Sequence, residues 1–373
     1  MAMTITCCGA NLFHQWNSED LIMKEFVDIK DSGDPQITLP GITVRDINWS
    51  YNIVEYNKNF YMLGSWIENK SRVTKIPLPA EVKQTDAKNQ SLIVLGNDFH
   101  IIVIHTKLHK MWFLDIEDMN KIKEVKLNIE IPTENVTKKF KIDDYLVKAV
   151  ATNNTCLLIT HNGIVYEGFL PSLVQTNHCT GNVIDIQCGF EHFVLLTDTG
   201  HVYTWGNGRR LQLGHGDLTN LETPTEVEAL SGIKIVKVCA GGWHTLALSE
   251  HGDLYSWGWN DTGQLGIKTD NTSGSRRCTE VMKGYPIPTL VDFFDDNMEE
   301  IPLNVVDIAC GSRHSCILLE DNSVWTSGNN KYGQLGCSNV LELKSFKKVY
   351  QCDINSKLLC GLWSSIIVKK EHQ

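Results

Sequence analysis

AGGWHTLALSEHGDLYSWGWNDTGQLG, residues 240–266, is written again seventy residues on as CGSRHSCILLEDNSVWTSGNNKYGQLG, residues 310–336. A chain that repeats a sentence of this length is built from copies of one structural unit. As a ruler, the motif reads small residue, Gly, two free positions, His, and a second Gly fourteen residues after the His. It fits CGFEH to Gly206, AGGWH to Gly258 and CGSRH to Gly328.

A looser ruler brings out fainter copies. VATNNTCLLITHNGIVYEG keeps the spacing, with Asn154 in the His column and Gly168 closing. NWSYNIVEYNKNFYMLG has Tyr51 near that column, LGNDFHIIVIHTKLHKMWFL drifts around His100, and CGLWSSIIV is a half copy with Ser364 in the column. Seven starts fall near residues 47, 92, 148, 184, 235, 306 and 358.

Inside each copy the grammar is β: two short runs alternate apolar and polar residues around a tight turn. The turns are Asn162-Gly163, Thr199-Gly200, His251-Gly252 and Asp321-Asn322, pairs that tolerate the positive φ of two-residue hairpins. No helix of ordinary length is required. Short all-β units about fifty residues apart fit the blades of a propeller. The last copy lacks its GQLG half, and MTITCCGANLFHQW at the amino terminus is the expected supplier. The expected fold is therefore all-β: one seven-bladed propeller over residues 1–373, closed by overlap of its two ends.

Bulk properties bound the function. The 373 residues are 42% hydrophobic and 21% charged, with a net charge of −10. That acidity argues against direct nucleic-acid or anionic-lipid binding, which needs a basic face. The first basic residue is Lys24, so no signal peptide is read, and no apolar run reaches the roughly 18 residues of a membrane span. Twelve cysteines without a secretory signal read as reduced thiols. The expected location is nucleus and cytoplasm.

The strings CGxxH, VYxWG and GQLG resemble the regulator of chromosome condensation repeat, plainly over residues 183–368 and faintly over 1–182. The resemblance implies a propeller that binds proteins. The order GGWH, WGWN, GSRH and CGLW, with a long insertion before the sixth start, is similar to that of a small single-propeller member. That further likeness implies a jumonji-type histone demethylase or hydroxylase as partner, and a chromatin role. The founding activity of the family implies a rival, nucleotide exchange on a Ran-like small GTPase. Against the rival, the chain has no basic amino-terminal tail and no clear extra hairpin. A ubiquitin ligase would need an appended catalytic domain, and the chain ends at Gln373 soon after the last copy.

The residues themselves do not ask for catalysis or cofactors. Cys188 with His192 and Cys310 with His314 have the types of zinc ligands, yet Ala240 replaces Cys where His244 stays, and Ser364 replaces His where Cys360 stays. Independent loss suits packing positions: a small apolar column and a hydrogen-bonding column. No metal ligands are assigned, and zinc and iron are not expected. GQLG lacks the lysine and helix terminus of a phosphate loop, and Leu211 replaces its first Gly in one copy. The strings His215-Gly216-Asp217 and His251-Gly252-Asp253 match half of an iron triad but have no assignable third ligand.

Two segments depart from the ruler. Residues 116–145 are rich in mixed charges and suit a solvated blade edge. Residues 267–302 hold the excess between His244 and His314 and read as a long inserted loop, its Ser273–Arg277 part the most accessible to proteases. The partner face is expected at the position just before the His column, where Glu191, Trp243, Arg313 and Trp363 share no type. Packing does not choose these residues, and Trp and Arg are enriched at interface hot spots. Trp243, Arg313 and Trp363, extended by Trp259, are the candidate binding residues of a monomeric propeller.

Overall fold

The computed structural model describes residues 3–30, 37, 41–64, 72–85, 91–127, 144–268, 283–295, 297 and 299–370. Alternating short strands, broken by turns every few residues, pair with their sequence neighbours into seven four-stranded antiparallel sheets. Four successive strands make the fourth blade: Val183–Cys188, His192–Thr197, Val202–Gly206 and Leu221–Glu226. The seven innermost strands pack beside one another around a central channel: Thr43–Ile47, Leu92–Gly96, Leu146–Ala151, Val183–Cys188, Ile235–Ala240, Val305–Cys310 and Ser356–Gly361. The one α-helix among the described residues is the short Ala80–Thr85.

Hairpin chemistry is where the sequence placed it. Gly163, Gly200, Gly252 and Asn322 all have positive φ, between 63° and 90°, so each of the four hairpins turns on a residue that tolerates the left-handed region.

The ring closes through the amino terminus. Ser356–Gly361 is innermost in the seventh blade, Ser364–Lys370 second, Met3–Ala10 third and Ile22–Asp28 outermost. The overlap thus uses two amino-terminal strands, one more than residues 1–16 contain. Phe13 to Trp16 also supply the missing QLG-type link. Gln15 Oε1 accepts from the Phe13 amide at 3.1 Å, as Gln334 Oε1 accepts from the Tyr332 amide at 2.9 Å.

The apolar core is shared between blades, not enclosed within them. Seven hydrophobic clusters of described residues each join two neighbouring blades, for example Leu246, Leu248 and Leu254 of the fifth with Ile308, Ile317 and Trp325 of the sixth. Burying one such side chain contributes about 1.5–3 kcal/mol, so stability comes from blade contacts and every blade needs both neighbours. Charges on the inner strands add to this: Lys148 pairs with Asp185 and Lys237 with Asp307, each across one blade boundary.

Several local readings are corrected. Strand pairing puts Ala151 opposite Cys156, as Cys188 is opposite Phe193. The residue equivalent to His192 is therefore Thr155, and Asn154 is an exposed turn residue. Within 267–302, Gly284–Leu290 is the outer strand of the fifth blade; residues 269–282, with Ser273–Arg277, lie outside the described residues. Within 116–145, Ile122–Lys126 is the outer strand of the second blade, and residues 128–143 lie outside the description.

Deleting residues 1–16 removes the third strand of the closing blade and exposes two strand edges. The expected result is aggregation in size-exclusion chromatography or a melting temperature lower by ten degrees or more. A monomeric truncation that melts with unchanged cooperativity contradicts closure by overlap.

Candidate interaction face

The His column builds the scaffold beneath this face. His192, His244 and His314 are wholly buried. Each Nε2 reaches a hydroxyl of the next blade: Thr245 at 3.1 Å, Ser315 at 3.0 Å and Ser365 at 3.0 Å. Each hydroxyl in turn donates to the backbone carbonyl of the Gln in the QLG link: Gln212 at 3.3 Å, Gln264 at 2.6 Å and Gln334 at 2.6 Å. Because the hydroxyl's only proton goes to the carbonyl, the ring must donate, which places its proton on Nε2. The motif now reads physically. Gly precedes the histidine because a Cβ at Gly311 would stand 2.0 Å from the His314 ring, and the link ends the relay with its carbonyl.

The degenerate blades make the same tie by other means. Tyr51, in the column, donates its hydroxyl to the Asn97 carbonyl of the next blade at 2.7 Å. Asn97 Nδ2 continues to the Thr152 carbonyl at 3.4 Å.

With the relay buried, the turn just outside it is free to vary. Backbone bonds string these turns side by side, from the Phe190 amide to Gly242 O, from the Gly242 amide to Ser312 O, and from the Ser312 amide to Leu362 O. The candidates Trp243, Arg313 and Trp363 therefore lie on one face. Each is met by the preceding blade's link, at or beside the position two residues before its Gln. The Arg210 guanidinium lies 4.2 Å from the Trp243 ring, Asp261 pairs with Arg313, and Tyr332 meets Trp363 edge-on at 5.4 Å. Phe13 meets Trp49 of the first blade in the same way, at 5.9 Å.

The candidates divide into groups. Trp243 and Trp259 share Arg210, which lies 5.0 Å from the Trp259 ring, and Phe190 completes that cluster. Trp363 belongs to a second cluster with Trp49 and Tyr332. Among the described residues no direct hydrogen bond or ring contact joins Arg313 to either tryptophan. All four candidates are half-buried.

Sequence reasoning missed the link column, Phe13, Arg210 and Tyr332, whose signal is its fixed offset before Gln. It also missed Phe99. That residue precedes His100, is 62% exposed and borders a cleft of about 900 Å³ with Phe113, Phe169 and Leu170 between the second and third blades.

In the zinc-like pairs, His192 and His314 are held in the relay. Cys310 Sγ donates to the Cys239 carbonyl at 3.7 Å. Of the HGD strings, His215 Nε2 is bound to Thr204 Oγ1 at 2.9 Å and Asp253 to Ser249 at 2.9 Å. One group of described residues could hold a metal ion, and it is a different set: His314, Cys316 and Cys360.

Comparison with known proteins agrees with this geometry. Models described as the regulator of chromosome condensation (RCC1) repeat match residues 199–248 and 251–318, and in a second form 183–212, 235–264 and 305–334. The chain carries regulator of chromosome condensation repeats over residues 183–334. RCC1 domain-containing protein 1 of Homo sapiens is 34% identical over 210 residues, 50% of this chain and 56% of that protein. The chain thus spans little more than half of that relative. The ultraviolet-B receptor UVR8 of Arabidopsis thaliana is 35% identical over 167 residues, 44% of this chain and 33% of the receptor. The crystal structure of Prp20p from Saccharomyces cerevisiae superposes with a TM-score of 0.73 at 17% identity, covering all of this chain and 92% of that one. Human WBSCR16 gives 0.70 at 14% identity, covering 100% and 99%. At these identities the two structures establish the shared repeat fold.

Burial makes the relay pH-sensitive. It holds His192 and His244 down at about 3, against an ordinary value near 6.5. The unfolded chain therefore binds protons that the folded chain refuses, and stability falls as pH drops below about 6.5 toward 3. Urea midpoints of the wild type are expected to fall more steeply from pH 6.5 to 4.5 than those of His244→Gln, which is less stable at neutral pH. Parallel slopes contradict a buried neutral imidazole.

Proposed function

We propose that the propeller is a non-enzymatic interaction module that presents the turn-and-link face to a protein partner. The observation that carries this reading is the pairing of the two variable columns. Arg210 with Trp243 and Trp259, and Tyr332 with Trp363 and Trp49, form two aromatic platforms on a face whose backbone is already held by the buried relay. Side chains of this kind, left half-exposed on a rigid base, are those that dominate interface energies. The partner implied by the family resemblance is a jumonji-type oxygenase, and the role proposed with it is chromatin regulation in the nucleus and cytoplasm.

The test uses a purified jumonji-type oxygenase and the purified propeller in a direct binding titration. Replacing Trp243, Arg313 and Trp363 together by alanine is expected to abolish binding, at about 2 kcal/mol or more for each hot spot, while the melting temperature falls by a few degrees at most. Undiminished binding by the folded triple variant places the site on another face. In parallel, release of labelled GDP from a Ran-like GTPase is expected to stay at its spontaneous rate. Acceleration there favours the exchange-factor reading.

A further inference from the structure

The interface between the sixth and seventh blades carries chemistry that its two sister interfaces lack. All three share the relay from His to hydroxyl to carbonyl. Two residues after the histidine stand Val194, Leu246 and Cys316 in turn. Across the strand pair from the hydroxyl stand Ala240, Cys310 and Cys360. Of the three, only the interface between the sixth and seventh blades has sulfur at both positions.

There the donor atoms of His314, Cys316 and Cys360 all lie within 4.8 Å of one another. Ser365 Oγ sits among them, 3.0 Å from His314 Nε2, 3.1 Å from Cys316 Sγ and 3.9 Å from Cys360 Sγ. We propose that this cluster of one imidazole nitrogen and two sulfurs is a copper(I) site. Structural zinc takes four protein ligands, and zinc held by one His and two Cys completes its shell with water. Here three donors are gathered where His314 and Cys316 are fully buried, and the neighbouring Cys8 thiol is turned to the Gln334 carbonyl at 3.5 Å. Soft thiolates suit copper(I), zinc and iron–sulfur clusters, and of these copper(I) is the single closed-shell ion satisfied by two or three such donors without water. The burial of His314 and Cys316 keeps water from the bound ion, while Cys360 is a half-buried residue of the innermost strand.

Binding balances without electron transfer. The ion takes the sulfurs of Cys316 and Cys360 as thiolates, and their two protons leave to solvent. The His314 ring proton moves from Nε2 to Nδ1, an atom with no hydrogen-bond partner, and Nε2 turns its lone pair to the metal. Ser365 keeps its bond to the Gln334 carbonyl, so the relay's far half is retained.

The sister interfaces supply the control substitutions. Cys316→Val and Cys360→Ala install the residues found at Val194 and Ala240, so the double variant is expected to fold, with a melting temperature within a few degrees of wild type. Full-length protein is titrated anaerobically with copper(I) against bicinchoninate. The wild type is expected to retain one equivalent more than the double variant, and X-ray absorption of that equivalent to show one nitrogen and two sulfur neighbours. Cys310→Ala, at a sister interface, is expected to retain the same amount as wild type. Equal retention by wild type and double variant overturns the proposal, as does loss of the equivalent in Cys310→Ala. Tight retention of zinc in place of copper overturns the choice of ion. If the double variant does not fold, the single Cys360→Ala variant, which removes one sulfur at the half-buried edge, decides on the same readout.

Discussion

A buried imidazole that crosses from one blade to the next is the interaction on which the rest of this structure depends. Four-stranded sheets of this size have no core of their own, and the apolar clusters lie between blades. Something polar and directional must set how each blade docks on its neighbour, since apolar contact alone is non-directional. His192, His244 and His314 do this by donating to a hydroxyl that is itself pinned to a link carbonyl. Three features of the repeat follow from that one bond. A Gly must precede the ring, a Thr or Ser must follow the same column position in the next blade, and the link must turn its Gln carbonyl inward.

The same bond explains where variation is allowed. Once the inner end of each turn is held by a buried relay, the next residue outward no longer carries the fold. Glu191, Trp243, Arg313 and Trp363 can therefore differ without disturbing blade order. The links acquire the same freedom two residues before each Gln. Large aromatic and basic side chains collect where structural demand ends, and the two columns meet because each link leans on the following blade.

The fold was legible because the relay leaves a dense mark in sequence: Gly, His and a hydroxyl at fixed offsets, with QLG to end it. It faded in the first three blades because the tie there is made by Tyr51 and Asn97, whose sequence signatures differ. Asn154 was misplaced for a local reason. Gly168 stands one position earlier in its hairpin than Gly206 does, as the strand registers show, so counting back from it misses Thr155 by one. Of the candidate face, the column before His shows in the sequence as a position that varies in type, and the link column does not, because Arg210 reaches Trp243 only through blade docking. The cluster of His314, Cys316 and Cys360 was likewise hidden, since its two sulfurs are brought together across the interface of the sixth and seventh blades. An acidic chain can still present arginine locally, as Arg210 and Arg313 show.

The central claim is that these histidines are neutral structural donors, and ring-nitrogen magnetic resonance tests it most directly. With ¹⁵N-labelled histidine, the account predicts that His192 and His244 show a protonated Nε2 and a bare Nδ1, with chemical shifts unchanged from pH 7.5 to 5. Titration of either ring near its ordinary value of about 6.5, or a proton found on Nδ1 at neutral pH, would contradict the relay.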